Sequence, residues 1–290
     1  MGLRAKFNVV LILAFLVGLG LAGVLSYWIV QKNARDEVIQ NARIMMDSAS
    51  AVRSYTVREI SPLLAVHMDT RFLPHSVPSF AAQTNFRALQ EKYSDFSYKE
   101  AVLNPTNPAD KASDWEEDII RAFRNAAGPS ELIAERDTPT GRSLVLALPI
   151  AIKDAACLTC HSVPGNAPAT MIALYGSSNG FGWHLNEVVG AQVVSVPMSL
   201  PLKKAEHAFL VFMGALGIVF LVIIAILNVL LHYVVIKPVA TISRMASQVS
   251  MGQMDVPEYE RKGKDEIATL SASFNRMRRS LENALRMLEE

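Results

Sequence analysis

AFLVFMGALGIVFLVIIAILNVLLHYVVI, residues 208–236, runs for 29 residues without a formal charge and is broken only by Asn228 and His232. A helix rises about 1.5 Å per residue, so roughly 20 apolar residues cross the hydrocarbon layer of a bilayer. The stretch is long enough to cross with some tilt, and no soluble reading accounts for it as well. A second run, FNVVLILAFLVGLGLAGVLSYWIV at 7–30, has 24 residues and no charge. The apolar part of a cleaved signal peptide is shorter, about 7–15 residues, and no clean small-x-small cleavage site precedes Tyr27 and Trp28. The run therefore reads as an uncleaved anchor. Tyr27, Trp28 and Tyr233 fall where aromatic side chains settle at membrane interfaces.

The composition of the 290 residues agrees: 51% are hydrophobic and only 19% charged, below the usual quarter of a soluble domain. The 28 Lys and Arg nearly balance the 27 Asp and Glu, for a net charge of +1. That argues against a protein built to hold nucleic acid, which would carry a basic surplus. The two cysteines exclude a disulfide-stapled scaffold.

The two spans divide the chain into a basic tip with the first transmembrane helix (1–30), a loop domain (31–207), the second transmembrane helix (208–236) and a tail (237–290). An even number of spans puts both termini on one side. Flanking charge does not choose the side. Arg4 and Lys6 before the first span face Lys32 and Arg35 after it, and Lys203 and Lys204 are matched by Lys237 and Arg244. The loop domain has an ordinary charge content, 17 basic and 19 acidic residues in 177.

The cysteines choose it. They stand three apart and are followed at once by histidine, in Cys157-Leu158-Thr159-Cys160-His161. C-x-x-C-H is the attachment signature of haem c. Two thiols one helical turn apart reach the two vinyl groups of one porphyrin as thioethers, and the next residue places an imidazole under the iron as proximal ligand. Other readings need features of their own. A thioredoxin-like motif needs a βαβ context, a zinc site needs further Cys or His ligands, and a disulfide across two residues is strained. Thioether attachment takes place outside the cytoplasm. The motif therefore predicts a two-pass protein of the bacterial inner membrane, with the loop domain in the periplasm and both termini in the cytoplasm.

The distal iron ligand has several candidates: Met45, Met46, His67, His75, Met171, His184 and Met198. Met46, with Met45 as its alternative, stands out because residues 31–64 read as one long helix continuing from the first span. A methionine there would tie the iron to the transmembrane helix. An open site would instead let a diatomic gas bind. Beyond Leu64 the pattern predicts a helix at 79–94, a strand at 96–102, and a turn cluster at Asn104-Pro105-Thr106-Asn107-Pro108. An amphipathic helix follows, capped by Asp114, then strands at 143–152 and 188–198. The Gly-rich loop 176–190 lacks the ending of a phosphate loop. Its Phe181 and Trp183 read either as aromatics beside the haem or as ordinary core. The fold class expected is α+β: a long N-terminal helix and a central antiparallel sheet, PAS-like in outline.

The loop domain resembles the periplasmic haem c sensor family with a PAS-like fold, found in bacteria ahead of HAMP modules. The resemblance is carried by YTVREISPLL (55–64), SVPSFAAQTNF (76–86), YKEAVLNPTNPAD (98–110), the Cys157–His161 motif and YGSSNGFGWHLNEVVGAQVVSVP (175–197). It implies covalent haem with His161 as one axial ligand. Some members take the second ligand, a Cys, from the N-terminal helix. This chain has no third Cys, and Met45 or Met46 is read as its replacement.

The tail resembles a HAMP module. Lys237-Pro238 opens a helix at the membrane exit, and Val235, Val239, Ile242, Ala246 and Val249 recur at threes and fours. A polar connector spans Gly252 to Gly263. Asp265-Glu266 opens a second helix, with Ile267, Leu270, Phe274, Met277, Leu281, Ala284 and Leu288 as its seam. Two such helices bury their seams by dimerising into a parallel four-helix bundle. No kinase, cyclase or methyl-accepting domain fits after Leu285, which leaves either a separate cytoplasmic output protein as partner or a sequence cut before an output domain. No Ser-His-Asp constellation or nucleotide loop is present, so no enzymatic activity is expected. The reading is a homodimeric receptor, paired through HAMP and N-terminal helices, that senses redox state or a diatomic gas. Its rivals are a membrane-anchored c-type cytochrome for electron transfer and a haem subunit of a larger respiratory or photosynthetic complex.

Overall fold

The computed structural model describes residues 2–125, 128–138 and 141–289. The chain forms two compact units, Trp28–Ala208 and a unit made of Met1–Tyr27 with Phe209–Glu290.

In the first unit, helix α1 (Leu3–Tyr55) brings its C-terminal half, then widens into a π-helical turn at Thr56–Ile60 and continues as α2 (Ser61–Ala65). The expected long helix to Leu64 is present. The widening has a cause in the sequence: Pro62 has no N–H to offer the preceding turn, and proline is a common origin of such bulges. The Ser61 hydroxyl lies 3.0 Å from the Thr56 carbonyl and 2.6 Å from that of Ser76. Then follow α3 (Pro78–Gln90), β1 (Ser97–Val102), α4 (Asp114–Arg124), β2 (Leu132–Thr138), β3 (Gly141–Ala151), α5 (Cys157–His161), α6 (Ala169–Tyr175) and β4 (Val188–Pro197).

The four strands form one antiparallel sheet in the order β1-β4-β3-β2. Alternation along the strands sorts the core into two layers. Tyr98, Leu144, Leu146, Val194 and Val196 pack with Val38, Ala42, Met45, Met46 and Ala49 of α1 and Ala82 and Phe86 of α3. Ala101, Val145, Ala147, Ala191 and Val193 face the other way, onto Ile119, Ile120 and Phe123 of α4. The domain is thus α+β, a sheet between helices, with the long N-terminal helix expected from sequence.

Three details differ from the sequence reading. Strand β2 was not expected, because its Ala134, Glu135, Arg136 and Asp137 are exposed. Such charges blunt an edge strand and erase its alternation. The α3 helix ends at Gln90 rather than Ser94. Asp114 is not the cap of α4: Ser113 is, with its backbone N–H and its hydroxyl both 2.8 Å from the Glu116 carboxylate. Ser113-x-x-Glu116 is a capping-box spacing, and Asp114 is the first helical residue.

In the second unit α7 (Ser199–Leu230) passes through another π-helical turn, Leu231–Ile236, into α8 (Lys237–Ser250), and α9 (Glu266–Glu289) follows a connector. Phe15 stacks on Phe220 at 4.7 Å, and the Asn228 amide donates to Asn8 at 2.8 Å. Two helical stretches, Leu3–Ala65 and Ser199–Ser250, are long and apolar enough to cross a membrane. Helices α8 and α9 meet through Ile242, Met245, Val249 and Phe274, with Val256 of the connector. Of the expected seam, Ile242, Val249 and Phe274 are buried, while Leu270, Met277 and Leu281 stay exposed. The side chain of Leu288 lies outside the described residues.

Candidate functional site

The turn that starts α5 is set by Asp154. Its side chain accepts the Ala156 N–H at 2.8 Å and its carbonyl accepts that of Cys157 at 3.1 Å. One helical turn then puts Cys157 and Cys160 on a common face. Both are free thiols, Cys157 exposed and Cys160 half-buried. Burial raises the pKa of each; Asp154 raises that of Cys157 further and Arg53 opposes it. Thiols held protonated do not suit the thioredoxin-like reading, whose chemistry runs on a stabilised thiolate.

His161 is held on three sides. Its ring stacks on the Trp183 indole at 4.0 Å and 14°. Its Nδ1 lies 2.7 Å from the Gly180 carbonyl and 3.5 Å from Thr106 Oγ1. The Trp183 N–H donates to the His161 carbonyl at 3.2 Å and that of Gly182 to Ser162 at 2.8 Å, which fastens loop 180–183 to the end of α5. Burial lowers the imidazole pKa, against the raising effect of the Gly180 carbonyl. The ring is therefore neutral at neutral pH. A carbonyl partner requires the Nδ1–H tautomer, which leaves the Nε2 lone pair free to bind a metal or a proton donor.

Gly180 has to be glycine. Its φ is +84°, and a Cβ there would come within 2.0 Å of Thr106 Oγ1 and 2.9 Å of Thr106 Cα. Gly182 has a similar φ, +79°, but open space around its Cβ position. Gly180→Ala is expected to destabilise the domain by about 2 kcal/mol and to release the Nδ1 partner. Gly182→Ala should cost only the backbone term. Thermal unfolding and the ¹⁵N shifts of the His161 ring check both: the tautomer signal should change in Gly180→Ala alone.

A buried polar network adjoins the motif. Glu100 of β1 is 3% exposed in its side chain and paired with Arg53 of α1, 25% exposed. Its other oxygen accepts from Tyr98 at 2.8 Å, and the Tyr98 oxygen lies 3.3 Å from Gln192 of β4. Gln83 of α3 donates to Asp110 at 2.9 Å. Burial opposes the Arg53 charge, but Glu100 more than offsets it and the guanidinium pKa is raised. Burial, then Glu100, push the Tyr98 phenol up. Burial also raises the Asp110 carboxyl, against the Gln83 hydrogen bond. A cavity of about 300 Å³ opens beside this network, lined by Arg53, Ser54, Val57, Arg58 and Pro78.

The structure unites Cys157, Cys160 and His161 with Trp183, one of the two aromatics picked out from sequence. The other, Phe181, offers its carbonyl to Asn104 at 3.5 Å. Met45, Met46 and Met198 are core residues in the layer between α1 and the sheet, and Met171 is buried on α6. His184 is exposed and 3.5 Å from Glu187, and His75 meets the edge of Phe80 at 5.4 Å. Among the described residues no three His, Cys, Asp or Glu side chains converge as a metal site. Sequence reasoning missed Thr106, Gly180 and Arg53. The first two lie in the Asn-Pro turn cluster and the Gly-rich loop, whose clustering was the available signal.

The profile of the Tll0287-like family matches residues 31–197, and that of the HAMP domain matches residues 230–283. No curated protein matches the chain. Among solved structures, the cyanobacterial heme-protein Tll0287 is similar at 12% identity and a TM-score of 0.42, over 56% of this chain and 95% of that one. Since the first profile spans more than half of the chain, the protein belongs to the Tll0287-like family, and it carries a HAMP domain.

Proposed function

We propose that this protein is a haem c receptor of the bacterial inner membrane, dimeric through its HAMP domain, that converts a change at the iron into a rearrangement of its helices. The observation that carries the proposal is the His161 arrangement: a neutral imidazole with Nδ1 tied to Gly180 and Nε2 free, next to two thiols on one helical turn. That donor set fits a covalently attached porphyrin. Cys157 and Cys160 would hold it as thioethers and His161 Nε2 would be the proximal ligand. Arg58 lines the neighbouring cavity with Arg53 and would offer a cation to the porphyrin's carboxylates. The group supplies an iron that changes redox state or takes a diatomic ligand. Met46, or Met45, serves as distal ligand only if α1 moves, since both side chains pack in the core. Without that movement the distal side is left to water or gas.

The rest of the reading follows from this chemistry. Thioether attachment would put residues 31–207 in the periplasm, the apolar runs 7–30 and 208–236 in the membrane and both termini in the cytoplasm. The sheet order, with the first strand beside the last, supports a PAS-like sensor. On α9, Leu270, Met277 and Leu281 are 45%, 55% and 41% exposed. A second copy would cover them in a parallel bundle.

The rival, a membrane-anchored electron carrier, differs in a measurable way. Spectra of the purified chain with reductant, CO and NO, paired with cross-linking of a Leu281→Cys variant, separate the two. The receptor reading expects a ligation change together with a change in cross-linking. An iron that ignores both gases, keeps its ligation on reduction and leaves the tail unchanged would favour the carrier.

A further inference from the structure

Pro238 is the second residue of α8. It has no N–H, so the carbonyl four residues earlier, that of Val234, loses its helical donor. Val234 lies in the π-helical turn Leu231–Ile236, where α7 passes into α8. Its carbonyl accepts instead from Arg261 Nη1 at 3.0 Å. Nη2 of the same guanidinium is 3.3 Å from Asp265 Oδ2. The other oxygen of Asp265 accepts the Ala268 N–H at 2.7 Å, in the first turn of α9, and the Asp265 carbonyl accepts that of Thr269 at 3.1 Å. One planar fork thus holds the freed carbonyl of the incoming helix and the cap of the outgoing one. The Arg261 side chain is 23% exposed, so the bridge is partly shielded from water and salt.

The rest of the connector is fastened to α9. Ser271 and, at 3.1 Å, Asn275 donate to the Tyr259 carbonyl. Arg278 donates to the Val256 carbonyl and, at 3.2 Å, to Glu258. Among the described residues, Arg261 supplies the connector's hydrogen bond back to the turn that precedes α8. We propose that Arg261 is a latch that links the end of the second apolar helix directly to the N-terminus of α9, so that movement of the Leu231–Ile236 turn reaches the second HAMP helix without passing along α8. The assignment needs no prosthetic group and stands or falls apart from the haem reading.

Hydrogen exchange on the full chain in lipid nanodiscs tests it. Arg261→Ala is expected to speed exchange of the amides at 268 and 269 roughly tenfold, the loss of one charge-assisted hydrogen bond. Pro238→Ala restores an N–H four residues after Val234 and removes the reason for the bridge. In that background, Arg261→Ala should change the same amides less than twofold. Arg261→Lys keeps the charge but not the fork and should give a partial effect. Unchanged amides in Arg261→Ala, a full effect in the Pro238→Ala background, or wild-type exchange in Arg261→Lys would each overturn the latch.

Discussion

Arg53→Ala is expected to lower the stability of the sensor domain by about 3–5 kcal/mol, the cost of leaving a buried charge without its partner. The side chain of Glu100 is 3% exposed, and its second oxygen is held by Tyr98, so the guanidinium is the partner that balances its charge. For a domain of this size the midpoint of thermal unfolding should fall by roughly 10 °C. The double variant Arg53→Met/Glu100→Leu removes both charges and should recover most of the loss. It leaves Tyr98 the neighbouring Gln192, 3.3 Å away. Differential scanning calorimetry distinguishes the two. If Arg53→Ala cost less than about 1 kcal/mol, the pair would be behaving as a surface ion pair, and the network would not be the brace between α1 and the sheet that its burial implies.

The second large effect concerns the motif itself. In the double variant Cys157→Ser/Cys160→Ser, covalently bound haem should disappear entirely, as read by haem staining after denaturing electrophoresis. His161→Ala should keep the stain, because both thioethers remain, but lose the spectrum of an imidazole-ligated iron. The two outcomes assign attachment and ligation to different residues. Staining that survives in the double Ser variant would rule out thioether attachment. A wild-type spectrum in His161→Ala would remove this imidazole from the iron. Met46→Ala should leave the resting spectrum unchanged, because its side chain packs in the core with Val38, Leu146 and Val194.

The sequence made the two apolar helices and the HAMP pattern legible because each is periodic over many residues. The same holds for α1, where Val38, Ala42, Met45 and Ala49 recur on one face and are all buried. Strand β2 was illegible because an edge strand with Glu135, Arg136 and Asp137 exposed reads as a charged loop. At the candidate site, Cys157, Cys160 and His161 could be picked out from spacing alone, since they lie within five consecutive residues. Their supports could not. Thr106 and Gly180 stand 74 residues apart in the chain and meet only through the fold. Arg53 sits in a helix where an isolated charge reads as solvated, and nothing local announces that Glu100 lies opposite. The methionines pose the opposite problem. Their place in the helix was correctly read, but periodicity does not say whether a buried sulfur faces a sheet or an iron.

The central claim is that Cys157, Cys160 and His161 carry one covalent haem. Intact-mass measurement and peptide mapping test it most directly, on the chain purified from membranes of a bacterial host with cytochrome c maturation machinery. The account predicts the added mass of one haem, located on the peptide containing Cys157–His161, with both thiols blocked to alkylation. An unmodified peptide in which Cys157 and Cys160 both alkylate would contradict it.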